Sequence, residues 1–192
     1  MEDFEATIQA YFGQLPKEEL DRVYSYFHKE KLQKNTFFAT TGQTCEKLSI
    51  VKSGILRIYA NLDGKEITQW ITSDNELVTD VGGFFFNQPS RWDIQALTEI
   101  ELWTISKQNY QKLCQEIVNW NMIEKGFVMK CFVMIEDRVF SHLAMTAEQR
   151  YDAYFEKHGR LFNQVPLQYI ASILGMTAET FSRIRNRKSK SS

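Results

Sequence analysis

The sequence predicts an α+β chain: a β-sandwich or barrel preceded by short helices, followed by a long helix and closed by a helical hairpin. Three observations carry this reading. Residues 36–105 hold short β-branched and aromatic runs separated by turn residues, residues 107–142 contain no proline and only one glycine, and residues 166–187 have the apolar spacing of two short helices meeting at Gly175. With 192 residues and 43% hydrophobic content, the chain can bury the core of one large domain or two small ones.

At the N-terminal end, Phe4, Ile8, Tyr11 and Phe12, then Leu20, Val23, Tyr24 and Phe27, recur at helical spacing around Gly13 and Pro16. Two short helices fit within residues 3–33. Strands are expected over 48–51, 55–59, 66–71, 94–97 and 102–105, where β-branched and aromatic residues concentrate. The clearest piece is a hairpin, in which Ile55-Leu56-Arg57-Ile58-Tyr59 and Glu66-Ile67-Thr68-Gln69-Trp70-Ile71 flank Asp63 and Gly64. That dipeptide tolerates the positive φ of a tight hairpin turn. Five or more short strands at such spacing imply a sandwich or barrel.

From Lys107 to about His142 the pattern is helical. Within it Val128, Cys131 or Phe132, Ile135, Val139 and Leu143 step by three or four residues and form a seam of coiled-coil type. Periodicity alone suits a buried core helix and a dimer seam equally. Phe127, Met129, Val133, Met134 and Phe140 add apolar surface outside the seam, so one face is expected to pack on the barrel while another meets a second copy of the chain. The organisation expected is a barrel over 1–115, a long helix with a partner-seeking face over 116–145 and a C-terminal helical unit over 146–192.

Several function classes are disfavoured. Cys45, Cys114 and Cys131 are odd in number and widely spaced, which suits neither a disulfide framework nor a four-thiolate metal site. A metal enzyme on a barrel of this size needs histidines clustered on the strands, yet His28, His142 and His158 all lie outside residues 36–105. A non-enzyme without a cofactor is expected. The acidic opening residues, with no apolar run of about 18 residues anywhere, predict a cytosolic chain.

The net charge of −1 conceals an asymmetry: residues 178–192 hold Arg183, Arg185, Arg187, Lys188 and Lys190 against the single acid Glu179, a local charge of +4 that leaves −5 for residues 1–177. A basic end on an acidic chain suits one element that meets phosphates. The same end carries the most specific motif. Pro166 suits a helix's first turn, Ala171 is small where two helices cross, and Gly175 sits where the turn needs a left-handed residue. Thr177 is a good N-cap, and Glu179 in the first turn favours the dipole. Ile170, Ile173, Leu174, Met176, Phe181 and Ile184 form the apolar faces that lock the pair, leaving Ser182, Arg183, Arg185 and Arg187 outward. This register points to a helix-turn-helix rather than a plain helical hairpin, a unit that lays its second helix in the major groove of double-stranded DNA. Arg183 suits a bidentate contact to guanine and Glu179 can accept from cytosine, while Arg185 and Arg187 lie further along among phosphate contacts.

At these residues the sequence resembles the Crp/Fnr family of transcription regulators. The resemblance runs over nearly the whole chain: Lys52-Ser53-Gly54-Ile55-Leu56-Arg57 in the barrel, the long helix, Glu148-Gln149-Arg150-Tyr151, Val165-Pro166-Leu167, and Ala178-Glu179-Thr180-Phe181-Ser182-Arg183-Ile184. It implies a double-stranded β-helix (jelly-roll) sensor barrel, a homodimer formed through the long helix, two-fold symmetric operators, a small-molecule effector, and RNA polymerase as a further partner. Family residues matching Glu179, Thr180 and Arg183 contact DNA. The expected DNA-binding set is therefore Thr177, Glu179, Thr180, Ser182, Arg183, Arg185 and Arg187.

Two departures matter. The family usually continues past the recognition helix into a wing, where this sequence ends in Lys188-Ser189-Lys190-Ser191-Ser192, so affinity is expected to lean on the helix and tail. Cyclic-nucleotide-binding members carry a glycine–glutamate pair for the ribose and an arginine–serine pair for the phosphate. The comparable stretch here offers Asp80, Gly82, Gly83, Ser90, Arg91 and Trp92 as candidate ligand residues, with the Ser90-Arg91 order reversed and Asp93 adding negative charge. A cyclic nucleotide therefore fits poorly, and barrel packing accounts for these residues at least as well. The alternative is a regulator of the same fold that is ligand-independent, or that responds to redox or to haem held by His28, His142 or a cysteine. A lone histidine on a helix is more often a surface or packing residue.

Overall fold

The structure, a computed structural model, describes residues 2–118 and 120–189. The chain forms two compact units, Met1–Ala60 with Ile71–Lys130 and Asn61–Trp70 with Cys131–Ser192. In chain order the elements are α1 (Glu2–Phe12), α2 (Lys17–Ser25), β1 (His28–Leu32), β2 (Phe37–Ala39), β3 (Lys47–Ser53), β4 (Leu56–Leu62), β5 (Lys65–Thr72), β6 (Leu77–Val78) and α3 (Val81–Phe86). There follow β7 (Asp93–Ala96), β8 (Ile100–Ser106), α4 (Lys107–Glu116), α5 (Trp120–Ala144), α6 (Ala147–His158), a 3₁₀ turn (Gly159–Asn163), α7 (Leu167–Ile173) and α8 (Ala178–Ser189).

The eight strands form two four-stranded sheets, β1-β8-β3-β6 and β2-β7-β4-β5. This is the α+β jelly-roll architecture that the strand texture and the family resemblance imply. The central strands β3 and β8 pair antiparallel with Leu48 opposite Ile105 and Val51 opposite Leu102. They are apolar on both faces, for a geometric reason. Val51, Ile100 and Leu102 point into the barrel with Phe38, Leu56, Val78, Ile94 and Ala96. Leu48, Ile50, Trp103 and Ile105 point the other way, into a second core built with α1, α2, α4 and the start of α5. Period-two alternation between two buried faces produces the unbroken apolar runs seen in the sequence. Asp63 (φ 52) and Gly64 (φ 81) make the hairpin turn with both central residues left-handed.

Two expectations need correction. Residues 3–33 contain the two expected helices, but His28 to Leu32 then form a strand. The sequence His-Lys-Glu-Lys-Leu gives no β signal because β1 is an edge strand with much of its surface solvated, held by backbone pairing to β8. The Glu30 carboxylate adds to this, 2.6 Å from Lys47 Nζ and 2.8 Å from Thr104 Oγ1. The helical stretch from Lys107 also breaks. Ile117 is extended (φ −92, ψ 117) between α4 and α5, with Ile117 and Trp120 both buried. Their burial in the helical core decides the break: Trp120 stacks on Phe12 at 5.3 Å, and the Tyr110 hydroxyl donates to Glu124 at 2.5 Å.

Past this break, α5 divides in character. Near its start Phe127 packs on Phe12 and Tyr11. Further along, Val128, Met129, Phe132, Val133, Met134, Ile135, Val139, Phe140 and Leu143 are all exposed in the single chain, Ile135 by 61% and Leu143 by 83%. Of the five residues expected to add a barrel-facing surface, only Phe127 is covered. Among the described residues no helix is long and apolar enough to cross a membrane.

The second unit has its own core. Tyr151, Leu161, Phe162, Val165, Ile170, Ala171, Ile173, Leu174, Phe181 and Ile184 are buried. Phe162 stacks on Phe181 at 5.7 Å, and Tyr151 leans on both rings. Thr146 and Gln149 form a reciprocal capping box at the start of α6. In the hairpin tip, Thr68 N–H donates to Ser172 Oγ at 2.9 Å. The half-buried Arg138 guanidinium donates to the Gln69 carbonyl and lies 5.6 Å from the Trp70 ring.

Candidate nucleic-acid interface and sensor residues

The helix-turn-helix is built from local rules. After α7 the chain closes a complete Schellman turn, with Met176 N–H donating to Ala171 O and Gly175 N–H to Ser172 O, both at 3.0 Å. Gly175 is left-handed (φ +64), a conformation that favours glycine, and a Cβ there would stand 3.2 Å from the His142 ring, which would have to give way slightly. His142 is fixed in turn by Arg138 O at 2.9 Å and Ile173 O at 3.2 Å. Arg150 Nε donates to Leu174 O and its Nη1 to Met145 O, satisfying two more carbonyls at helix ends. Thr177 Oγ1 accepts from Thr180 N–H at 3.2 Å, the N-cap bond that starts α8.

Phe181 and Ile184 are buried beneath α8 at 1% and 3% exposure, and this orients the rest of the helix. Thr177, Glu179, Ser182, Arg183 and Arg187 are exposed, and Thr180 and Arg185 are half-buried. Ala178, Glu179, Ser182, Arg183, Asn186 and Arg187 line one open recess along the outer face. The structure therefore brings Glu179, Ser182, Arg183 and Arg187 together. Thr177 and Thr180 are engaged with each other at the cap, at 3.1 Å between hydroxyls. Asn186 belongs to the same face and was not among the expected residues. Its spacing, three and four residues from Arg183 and Ser182, is the signal that places it there, and its carboxamide suits adenine.

Arg183 and Arg185 make no ion pair among the described residues. Arg187 and Lys188, in contrast, are paired: Arg187 Nη2 lies 3.0 Å from Glu148 Oε2, and Lys188 Nζ lies 2.9 Å from Asp152 Oδ2 and 3.4 Å from Glu148 Oε1. The Asp152 hydrogen bond pushes the Lys188 pKa up, which keeps it cationic. The tail from Lys190 to Ser192 lies outside the described residues.

In the barrel, Asp80, Gly83 and Ser90 among the six candidate ligand residues serve local structure. Asp80, buried, caps α3 by accepting from Gly83 N–H at 2.9 Å. Gly83 lets α3 approach residue 45 closely, since a Cβ would stand 2.7 Å from Cys45 N. Gly82 is half-buried beside Gln88. The buried Ser90 hydroxyl donates to Trp92 O at 2.8 Å and accepts from Trp92 N–H at 3.1 Å. Arg91 is exposed, its guanidinium 6.0 Å from the half-buried Trp92 ring, and Asp93 accepts from Thr41 N–H at 2.8 Å. A recess of about 200 Å³ elsewhere on the barrel is lined by Phe38, Thr40, Gln43, Cys45 and Lys47 among others and by none of these six. The three cysteines are free. Burial pushes the Cys114 thiol up to about 11 and raises Cys131 as well, so neither is held as a thiolate.

Comparison with known proteins agrees with this geometry. Residues 29–117 match the family model of the cyclic nucleotide-binding domain. The structure is similar to FixK2 from Bradyrhizobium japonicum, with a TM-score of 0.72 and 16% identity over 86% of this chain and 85% of that one. It is also similar to a transcriptional regulator of the Crp/Fnr family from Eubacterium rectale, with a TM-score of 0.67 and 17% identity over 92% of this chain and 85% of that one. The cAMP-bound regulatory domain of Toxoplasma gondii PKA shares the fold over 58% of this chain, with a TM-score of 0.53 and 20% identity, and this chain spans 43% of that chain's length. No curated protein sequence matches the chain. At these identities the likeness establishes a common fold, and it is the fold that the sequence resemblance implied.

Proposed function

We propose that this chain, with a barrel that matches the cyclic nucleotide-binding domain and a fold shared with Crp/Fnr regulators, is a cytosolic, dimeric, DNA-binding transcription regulator. The observation that carries the reading is the outer face of α8: Glu179, Ser182, Arg183 and Asn186 share one open recess on a helix anchored from beneath by Phe181 and Ile184. A helix held at a fixed angle by a Schellman turn and exposing an arginine, a glutamate and a carboxamide has the means to read base edges. The exposed apolar length of α5 supports dimerisation, and two-fold symmetry then favours inverted half-sites about 34 Å apart.

The test is selection of operators from a random duplex pool, followed by fluorescence anisotropy on the selected and a scrambled sequence. An inverted repeat should emerge. Arg183→Ala should cost about 1–3 kcal/mol on the operator and relax preference at one base pair, with little change on scrambled DNA. Equal loss on both sequences would remove Arg183 from the base-reading role, and no retention of any duplex would remove DNA binding altogether.

The barrel is assigned to sensing a small effector, and cyclic AMP is not the effector expected. The Ser90 hydroxyl is closed on the Trp92 backbone, so the serine available to a cyclic phosphate is already engaged. Calorimetry with cyclic AMP should show no binding at micromolar concentration; a micromolar or tighter Kd, lost in Arg91→Ala, would reverse this assignment. Redox sensing through Cys114 or Cys131 is disfavoured, because burial raises the pKa of both thiols. Haem ligation by His142 is disfavoured because both of its ring nitrogens face backbone carbonyls.

A further inference from the structure

Two of the four cations on α8 are already matched to carboxylates of α6, and they are the two furthest from the helix start. Glu148 and Asp152 are one helical turn apart on α6, so their carboxylates lie side by side. They receive the adjacent cations Arg187 and Lys188 in a network of three contacts between 2.9 and 3.4 Å. Arg183 and Arg185, nearer the start of α8, have no such counter-charge among the described residues. Nothing in the packing demands the acids: Asp152 is exposed and Glu148 is half-exposed, and the core beneath is formed by Tyr151, Phe162 and Phe181.

We propose that Glu148 and Asp152 act as internal substitutes for DNA phosphates, occupying Arg187 and Lys188 so that the protein binds random DNA weakly while base reading by Arg183 is untouched. This deepens the DNA-binding assignment of α8 and rests on it. Sequence-independent affinity comes from cations that neutralise phosphates and release counterions. A cation already neutralised by a carboxylate releases none unless the carboxylate is displaced, and the displaced acid then stands among phosphates. The penalty applies to every duplex, so the acids lower affinity for random and operator DNA alike and leave their ratio unchanged, and only a duplex that also gains base contacts is held tightly. Exposed pairs of this kind are weak, which makes them a graded brake that a well-matched operator overcomes.

The test uses the full chain with Glu148→Gln and Asp152→Asn together, compared with the unaltered protein on random duplex and on selected operator between about 50 and 200 mM salt. The expected result is tighter binding to random duplex, on the order of tenfold at the low-salt end, with a log–log salt slope steeper by up to about two units. Adding Arg187→Ala and Lys188→Ala to this variant should abolish the gain, whereas the same two alanines in the unaltered protein leave Glu148 and Asp152 unmatched and should weaken random binding. Thermal melting checks that each variant is folded. Should the unaltered protein bind DNA while the carboxamide variant shows the same random affinity and slope, or weaker binding, the proposal fails and the DNA-binding assignment stands. Should neither protein bind any duplex, both fail together.

Discussion

Phe181→Ala is expected to lower the stability of the C-terminal unit by about 3–5 kcal/mol and to abolish operator binding with it. The ring is 1% exposed and sits where α6, the 3₁₀ turn and α8 converge, 5.7 Å from Phe162 and 5.3 Å from Tyr151. Truncation removes the ring's transfer energy and leaves a cavity lined by two aromatic faces that cannot both move in, because Tyr151 and Phe162 are themselves buried. Operator binding is lost since the buried face of α8 is what orients its outer face. Phe155 is the internal control: it belongs to the same aromatic group, 4.9 Å from Phe162, yet it is 50% exposed. Phe155→Ala should cost well under half as much. Chemical denaturation followed by near-UV circular dichroism measures both, and a loss below about 1 kcal/mol for Phe181→Ala would contradict the packing described.

Ile135→Asp is expected to turn a dimer into a monomer without destabilising the chain itself. Ile135 is 61% exposed in the single chain and lies mid-way along the uncovered apolar length of α5, beside Phe132 and Val139. In a two-fold dimer each substitution acts twice. Losing two buried isoleucine side chains removes about 3–6 kcal/mol, a factor of roughly 10² to 10⁴ in the dimer dissociation constant, before the cost of burying carboxylates is added. Light scattering should report a dimer for the unaltered protein at micromolar concentration and a monomer for the variant. Operator affinity should fall with it, because a single recognition helix loses the second half-site. A monomeric mass for the unaltered protein would remove the dimer from the proposal.

What could be read from the sequence was whatever depends on neighbours in the chain. The β4–β5 turn was legible because Asp63 and Gly64 tolerate positive φ. The α7–α8 corner was legible because Gly175 and Thr177 stand at the positions a Schellman turn and an N-cap require. The outward set on α8 followed from the 3.6-residue period once Phe181 and Ile184 were assigned inward. Asn186 obeys the same period and lies on the same face.

Tertiary structure decided the rest, and each case has a physical reason. The polar segment His28 to Leu32 becomes a strand because β8 offers it a backbone edge, and hydrogen bonds to an edge leave no hydrophobic signature. The helix after Lys107 breaks at Ile117 because burying Ile117 and Trp120 in a core shared with Phe12 outweighs continued helix. The uses of Asp80 and Ser90 as a helix cap and a turn bond, and of Glu148 and Asp152 as partners for Arg187 and Lys188, depend on which side chains the packed chain brings within 3 Å or so. Sequence by itself determined which elements could form, since propensity, capping and turn chemistry act over a few residues. Only the folded chain decided which charges on α8 are already matched and which remain for a partner, since that depends on the distance between helices that lie 36 to 39 residues apart in the chain.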